Sequence, residues 1–284
     1  MNPYIQSLRL RTLPLSVSGI ILGTGLAYRF TFNFQLSTFI LAICTTLCLQ
    51  ILSNLANELG DAQKGTDQDQ QGREAYGLQA GTITAKQIKI MIAAFAMLSV
   101  VFGLALIGVA FGGLRNVQSL AFIGFGLLAL IGAVTYTLGK HSYGYMGLGD
   151  LGVFVFFGLL STLGAYYLQV QMMTWEVVCC GVAIGLPCVG VLNLNNIRDM
   201  EHDIAHGKRT FASLLGQTGA RVYHTLLLVT CLALFVAFGH YWTGCIIPVW
   251  AWHLHFVWTH AYKLDKQMPV LMFSTLIVAI LALF

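Results

Sequence analysis

Nine apolar stretches, each near the length of a membrane crossing, follow one another along this chain. A transmembrane helix takes about 20 apolar residues, with a working range of about 17–25. By that ruler the candidates run over about 13–30, 36–57, 88–112, 117–138, 151–170, 175–196, 221–239, 241–260 and 268–284. In hydrocarbon no water can pair with open backbone, so such runs become helices packed against one another. The expected fold is all-α: a multi-pass transmembrane helical bundle of about nine spans. Composition agrees, with 57% of the 284 residues hydrophobic and 9% charged, against about 25% charged in soluble domains. The eighth run is the weakest, because His253, His255 and His260 interrupt it among Trp250, Trp252 and Trp258. Aromatic density of that kind suits an interfacial belt. Residues Met1 to Arg11 are too short and polar for a secretory signal peptide, so the first run is read as a retained span.

Charge tests the count. Nine spans put the amino terminus and the loops near 58–87, 139–150, 197–220 and 261–267 on one side. Thirteen of the 15 lysines and arginines fall there, leaving only Arg29 and Arg115 opposite. Cytoplasmic loops carry the excess of basic residues, so the amino terminus is expected in the cytoplasm, with the chain in a plasma or inner membrane. Ten of the 11 acids share that side, Glu176 being the exception. Acids are not sorted by membrane insertion, so another reason must place them. The net charge of +4 is small; the bilayer is the expected partner, and no nucleic acid is. The seven cysteines lie in or beside apolar runs without C-x-x-C pairs or flanking histidines, and are read as small buried apolar residues.

Most of the acids sit in two polar stretches at span ends. The first is Asn54-Leu-Ala-Asn57-Glu58-Leu-Gly-Asp61-Ala-Gln-Lys64-Gly65-Thr66-Asp67, and the second Asn193-Leu-Asn-Asn196-Ile-Arg198-Asp199-Met-Glu201-His-Asp203. Asn-Leu-x-Asn opens both, at the same end of spans two and six. One domain, 1–284, with parallel pseudo-repeat halves of about 1–140 and 141–284, is the expected organisation; two unrelated polar span ends are the alternative.

Asp199 and Asp203 are four apart, on one face of a helix, where like charges destabilise it unless a cation intervenes. Asn57 and Asp61 repeat the spacing, and Asp67 follows the Lys64-Gly65 turn. Carboxylates and carboxamides without thiolates suit a hard ion such as Mg²⁺, which keeps waters and substrate phosphate oxygens among its ligands. Asp61, Asp67, Asp199, Asp203 and Asn57 are therefore the candidate metal ligands. Lys64, Lys140, Arg198, Lys208 and Arg209 lie on the same face and could meet phosphate oxygens. A polar head above an apolar bundle fits a long isoprenoid diphosphate. The allylic cation it releases calls for aromatic faces, which Tyr136, Phe154, Phe156, Phe157, Tyr166 and Tyr167 supply. For any one of these taken alone, ordinary membrane packing is the commoner explanation. His202 and His206 are four apart but interleave with the aspartates and read as solvated; His253 and His255 fall on different helix faces.

These stretches resemble the UbiA superfamily of membrane prenyltransferases. Asn57 to Asp67 resembles the family's Asn-Asp-Tyr-x-Asp-x-x-x-Gly-x-Asp. Tyr143-Gly-Tyr145-Met-Gly147-Leu-Gly149-Asp150, leading into Val153 to Gly158, resembles its fourth loop and fifth span. Asn195-Asn196-Ile-Arg198-Asp199 with Asp203 and Gly207-Lys208 resembles its second motif, and Arg11-Thr12-Leu13-Pro14 extends the likeness to span one. The resemblance implies a helical bundle around a large cavity, with Mg²⁺ and a polyprenyl diphosphate held between two acidic motifs. Carried over by position, Asp61, Asp199 and Lys140 would be catalytic. Asn57, Lys64, Arg11, Tyr136, Asn196, Arg198 and Lys208 would bind substrate. Tyr136 and Lys140 match a tyrosine–lysine pair beside the diphosphate, and Arg11 a contact to the aromatic acid.

The six-residue step from Asp61 to Asp67 favours the branch that prenylates 1,4-dihydroxy-2-naphthoate, with loss of its carboxylate, over the 4-hydroxybenzoate branch. Homogentisate is a further sister acceptor. Glu58 and Leu59 depart from the family's Asp and Tyr. Glutamate keeps the charge but carries it one methylene farther out. A secondary transporter is the alternative of another class; its site would lie near the bilayer midplane on broken helices, whereas these acids lie at one surface.

Overall fold

The structure is a computed structural model, and it describes residues 2–65, 77–260 and 264–284. Every regular element among them is helical, and a single bridge, Met146 to Arg209, is the only β-type pairing. After α1 (Pro3–Ser7) and a 3₁₀ turn (Leu10–Thr12) come α2 (Leu13–Thr31), α3 (Leu36–Lys64), α4 (Ala85–Phe111) and α5 (Val117–Thr135). The next crossing is α6 (Gly149–Val153), a π-helical stretch (Phe154–Leu160) and α7 (Ser161–Val170) in one line. Then follow α8 (Trp175–Ala205), α9 (Phe211–Ala237), a 3₁₀ stretch (Tyr241–Ile246) into α10 (Ile247–Thr259), and α11 (Gln267–Leu281).

Local chemistry sets these boundaries. Thr84 and Thr210 open α4 and α9 with reciprocal capping boxes to Gln87 and Ser213, satisfying amides that a helix start leaves bare. Asn116 and Thr174 cap α5 and α8 by accepting from Ser119 and Val177. Gly65 ends α3 at φ 73, a left-handed geometry that costs glycine nothing. A second such residue, Gly216 at φ 69, breaks α9 one turn after its start.

Eight helical segments among the described residues are long and apolar enough to cross a bilayer. The expected crossing over 241–260 is the one that differs. Its α-helical part, α10, has only 13 residues, and the 3₁₀ stretch before it supplies the rest. Together they reach about 30 Å, at about 1.5 Å per α-helical and 2.0 Å per 3₁₀ residue. The ends of this segment settle its course. His240, just before it, meets Arg29 at 3.0 Å and the Ala282 carbonyl at 2.6 Å. Asp265, just after it, receives Arg198 at 2.5 Å. Those partners sit at opposite ends of the bundle, so the chain passes from one end to the other between them. Arg29 and Glu176, both expected on the sparsely charged side, also meet there around His240.

Helix α8 is the central post, buried along most of its length from Val177 to Asp203. Only Ser119 and Gly132 of α5 are fully buried, so that helix presents most of its surface to lipid. Small residues let backbones approach closely where lipid offers no hydrophobic drive to association. Gly158 of the π-helical stretch and Gly185 of α8 do this: a Cβ added at Gly158 would lie 2.5 Å from the Gly185 Cα.

Candidate functional site

At the loop-rich end of the bundle a cavity of about 410 Å³ opens. Its mouth is polar, with Arg9, Asn57, Asp61, Asn196 and Lys208 among the lining residues; its walls are apolar, with Leu49, Leu106, Phe122, Phe156 and Phe157. The two Asn-Leu-x-Asn copies are used alike. In each, the first asparagine is buried and ties a neighbour: Asn54 donates to the Leu8 carbonyl at 2.9 Å, and Asn193 to the Ala220 carbonyl at 3.0 Å. The second asparagine of each copy, Asn57 or Asn196, lines the cavity, and in the first copy Asn54 does too, whereas Asn193 does not.

Helix α3 delivers Asn57, Asp61 and Lys64. Asn57 Oδ1 accepts from Thr137 Oγ1 at 3.1 Å, and that hydroxyl also reaches the Ala56 carbonyl. Asp61 Oδ1 accepts from the Tyr145 hydroxyl at 2.7 Å. Lys64 Nζ donates to the Thr137 carbonyl at 2.7 Å and to Ser142 Oγ, and stands 3.7 Å from the centre of the Tyr145 ring. Helix α8 delivers Asn196, Asp199 and Asp203. Asp203 is 3% exposed; its Oδ1 meets Lys208 Nζ at 3.3 Å, while Oδ2 has no partner among the described residues. Asp199 is held at both oxygens by its neighbour Arg198, at 2.7 and 2.8 Å.

Arg198 is not itself in the cavity lining, but its guanidinium reaches the lining residues Asn195 at 2.7 Å and Met268 Sδ at 3.5 Å, and it also meets Asp265. It braces α8 against the start of α11. Lys140 is exposed in the turn after α5 and outside the cavity lining, as is Arg11 at the start of α2. Lys208 lines the cavity beside Asp203, and Lys64, itself outside the lining, stands over the Tyr145 ring whose hydroxyl meets Asp61. On the amino-terminal side it is Arg9 that lines the cavity, turned inward by a left-handed backbone at φ 50 and ψ 51. Asp67 lies outside the described residues. Glu58 is fully buried and turned to the amino-terminal segment, its Oε1 accepting from Ser7 Oγ at 3.2 Å and the Leu78 amide at 2.8 Å. It is an anchor for the chain on either side of α3.

Of the aromatic residues, Tyr136, Phe156 and Phe157 line the cavity. Tyr166 is buried against Phe30, and Tyr167 stacks on Phe122, so both serve packing. Tyr136 packs edge-on to Tyr143 at 5.2 Å, and burial raises both phenol pKa values, that of Tyr143 to about 12. Both remain neutral hydroxyls at physiological pH. Sequence reasoning assigned no role to Tyr145, Thr137, Ser142 or Arg9. The one available signal was the Tyr143-Gly-Tyr145 pair itself, a polar-capable aromatic repeat in a short loop.

The donor set can be tested against a hard divalent cation. Asp61, Asn57 and Asn196 line the mouth, and Asp203, outside the lining but tied to the lining residue Lys208, keeps a buried carboxylate oxygen without a partner among the described residues. Among the described residues no three acidic, histidine or cysteine side chains converge as a closed metal cage. The set fits an ion that takes a few protein oxygens and completes its shell with water and phosphate, which is the habit of Mg²⁺.

Comparison with known proteins decides the family. A profile described as the UbiA prenyltransferase family matches residues 16–281. The chain belongs to that family. It is a prenyltransferase. It is 40% identical over 267 residues to a 1,4-dihydroxy-2-naphthoate octaprenyltransferase of Haemophilus influenzae, covering 91% of this chain and 86% of that one. To the Escherichia coli protein of the same description it is 41% identical over 255 residues, covering 88% and 79%. Among solved structures, a UbiA homologue from Archaeoglobus fulgidus bound to GPP and Mg²⁺ aligns with TM-score 0.70 at 15% identity, over 99% of this chain and 97% of that one. An apo UbiA homologue from Aeropyrum pernix aligns at 0.69 and 18%, covering 99% and 98%. These likenesses establish the multi-pass helical fold of this prenyltransferase.

Proposed function

We propose that this prenyltransferase moves a polyprenyl chain from its diphosphate to 1,4-dihydroxy-2-naphthoate, with Mg²⁺ and with loss of the ring carboxylate, giving demethylmenaquinol, the reduced form of demethylmenaquinone. The observation that carries the reading is that Asn57 and Asp61 of α3 and Asn196 of α8 line the mouth of an apolar cavity, with Asp203 of α8 tied to the lining residue Lys208. The roughly 40% identity to naphthoate octaprenyltransferases over most of the chain supports the acceptor. Asp61, Asp203, Asn57 and Asn196 would hold Mg²⁺, with Asp199 and Asp67 as further acids. The bound ion would offset charge on the departing diphosphate.

The residues around it have separate tasks. Lys64 and Lys208 place two ammonium groups where diphosphate oxygens gain charge, and in a site shielded from water such groups act strongly. Phe156, Phe157 and the neutral Tyr136 face the apolar space below, where an allylic cation meets π faces rather than water. The bond from prenyl carbon to oxygen breaks with its electron pair leaving on diphosphate. A carbon–carbon bond to the ring takes the place of the ring–carboxylate bond, whose electrons pass to the ring as CO₂ departs. From the charge map we also propose that the mouth and amino terminus face the cytoplasm, and that the two Asn-Leu-x-Asn helices descend from a duplicated half.

The test incubates membranes containing the protein with polyprenyl diphosphate, Mg²⁺ and either 1,4-dihydroxy-2-naphthoate or 4-hydroxybenzoate. The expected result is a prenylated, decarboxylated naphthalenediol with one CO₂ per prenyl group transferred, abolished by chelation. Prenylation of 4-hydroxybenzoate alone would overturn the acceptor, and activity that survives chelation would overturn the metal. The buried role of Glu58 gives a companion prediction. Glu58→Gln should leave the Mg²⁺ requirement unchanged while costing about 1–3 kcal/mol of stability, the usual range for disturbing a buried hydrogen-bonded group. A raised Mg²⁺ requirement with unchanged thermal unfolding would make it a ligand after all.

A further inference from the structure

We infer that Tyr145 is the positioning residue of the mouth, holding Asp61, Lys64 and Lys208 in one arrangement ready for a metal-bound diphosphate. The inference rests on reading the mouth as a diphosphate site. Three elements converge on this one side chain. Its hydroxyl donates to Asp61 Oδ1 at 2.7 Å, which fixes the direction of that carboxylate on α3. Its ring centre lies 3.7 Å from Lys64 Nζ and 5.6 Å from Lys208 Nζ, both within the range of about 6 Å over which a ring face attracts a cation. Lys208 in turn meets Asp203, so the ring stands between the acid of α3 and the acid of α8.

The backbone places Tyr145 firmly. The Tyr145 carbonyl accepts from the Arg209 amide at 3.2 Å, and Met146 pairs with Arg209 as the single bridge. The loop before α6 is thus fastened to the loop after α8. Lys208 is likewise set by its own amide, which donates to the Asp203 carbonyl at 2.8 Å. Two ammonium groups sharing one small site repel each other. The electron-rich ring face offsets part of that repulsion before any phosphate arrives. A phenylalanine would keep the ring and lose only the bond to Asp61; a leucine would lose both. That difference makes the role testable apart from folding.

The experiment uses the full-length protein purified in detergent, with inorganic pyrophosphate as the probe, titrated calorimetrically at low and at high Mg²⁺. Removing the partner that orients a metal ligand costs about 10–100-fold in metal affinity. Tyr145→Phe should therefore weaken pyrophosphate binding about 10-fold at limiting Mg²⁺, recover at high Mg²⁺, and keep kcat within about 3-fold while KM for the donor rises. Tyr145→Leu should weaken binding further, and high Mg²⁺ should not restore it. Tyr145→Phe that binds pyrophosphate like the unaltered protein at limiting Mg²⁺ would sink the inference. So would equal losses in both variants that Mg²⁺ does not relieve, the sign of a merely structural tyrosine. If the unaltered protein binds no pyrophosphate at any Mg²⁺ concentration, the diphosphate reading itself fails, and the inference with it.

Discussion

Asp203→Asn should lower prenyl transfer about 1000-fold at saturating donor, the upper end of what removing one preorganised electrostatic group costs. The side chain is 3% exposed and lies at the end of α8, with Lys208 on one oxygen and no described partner on the other. Asparagine keeps the shape, and its amide oxygen can still accept from Lys208. What it loses is the charge that a divalent cation requires. The substitution thus separates electrostatics from packing, which Asp203→Ala would confound. Asp61→Asn, across the mouth, should fall comparably. Lys89→Ala, exposed on α4 outside the mouth, should stay near the unaltered rate. Thermal unfolding measured alongside guards against a stability effect, because disrupting a buried ion pair can itself cost several kcal/mol. A folded Asp203→Asn enzyme within about 10-fold of the original would remove this residue from the metal site.

How far the sequence led is instructive at particular residues. Run lengths and the charge map located the crossings, because a bilayer leaves so few options for backbone hydrogen bonds. The run at 241–260 shows the limit. Hydropathy counts residues, but not the 3₁₀ winding that lets 13 α-helical residues and six more cover the distance. The two acidic helix ends were legible because charges are costly there and their i, i+4 spacing has a direct chemical reading. Which cations join them was not. Lys140 and Arg11 are good candidates by spacing, yet both are exposed and neither is in the cavity lining. Arg9, at a left-handed turn, lines the cavity where Arg11 does not, and no composition or period announces such a turn. Arg198 looked like a phosphate ligand until its guanidinium was placed between Asp199, Asn195 and Asp265. Long-range pairing of that kind depends on how helices stack, so a one-dimensional reading does not reach it.

The largest structural effect should come from Gly158→Leu, which should abolish recovery of folded protein from the membrane. A Cβ at this position would lie 2.5 Å from the Gly185 Cα, 2.9 Å from the Gly181 carbonyl oxygen and 3.1 Å from the Gly185 amide nitrogen. All three neighbours are backbone of α8, the central post, so no side chain can swing aside. Ordinary overpacking costs about 1–3 kcal/mol when neighbours can shift; here whole helices must part, and the expected cost exceeds that range. Even Gly158→Ala should lower the thermal midpoint in detergent by several degrees, since alanine already carries the offending carbon. The function is drawn in as well, because Phe156 and Phe157 flank this contact and form part of the cavity wall. Gly126→Ala supplies the contrast. It lines the same cavity on α5 with nothing within 4 Å of an added Cβ, and alanine favours the helix by about 1 kcal/mol over glycine. Its midpoint should hold or rise. If the two alanine variants melt alike, the close approach of the π-helical stretch to α8 is not what shapes this wall.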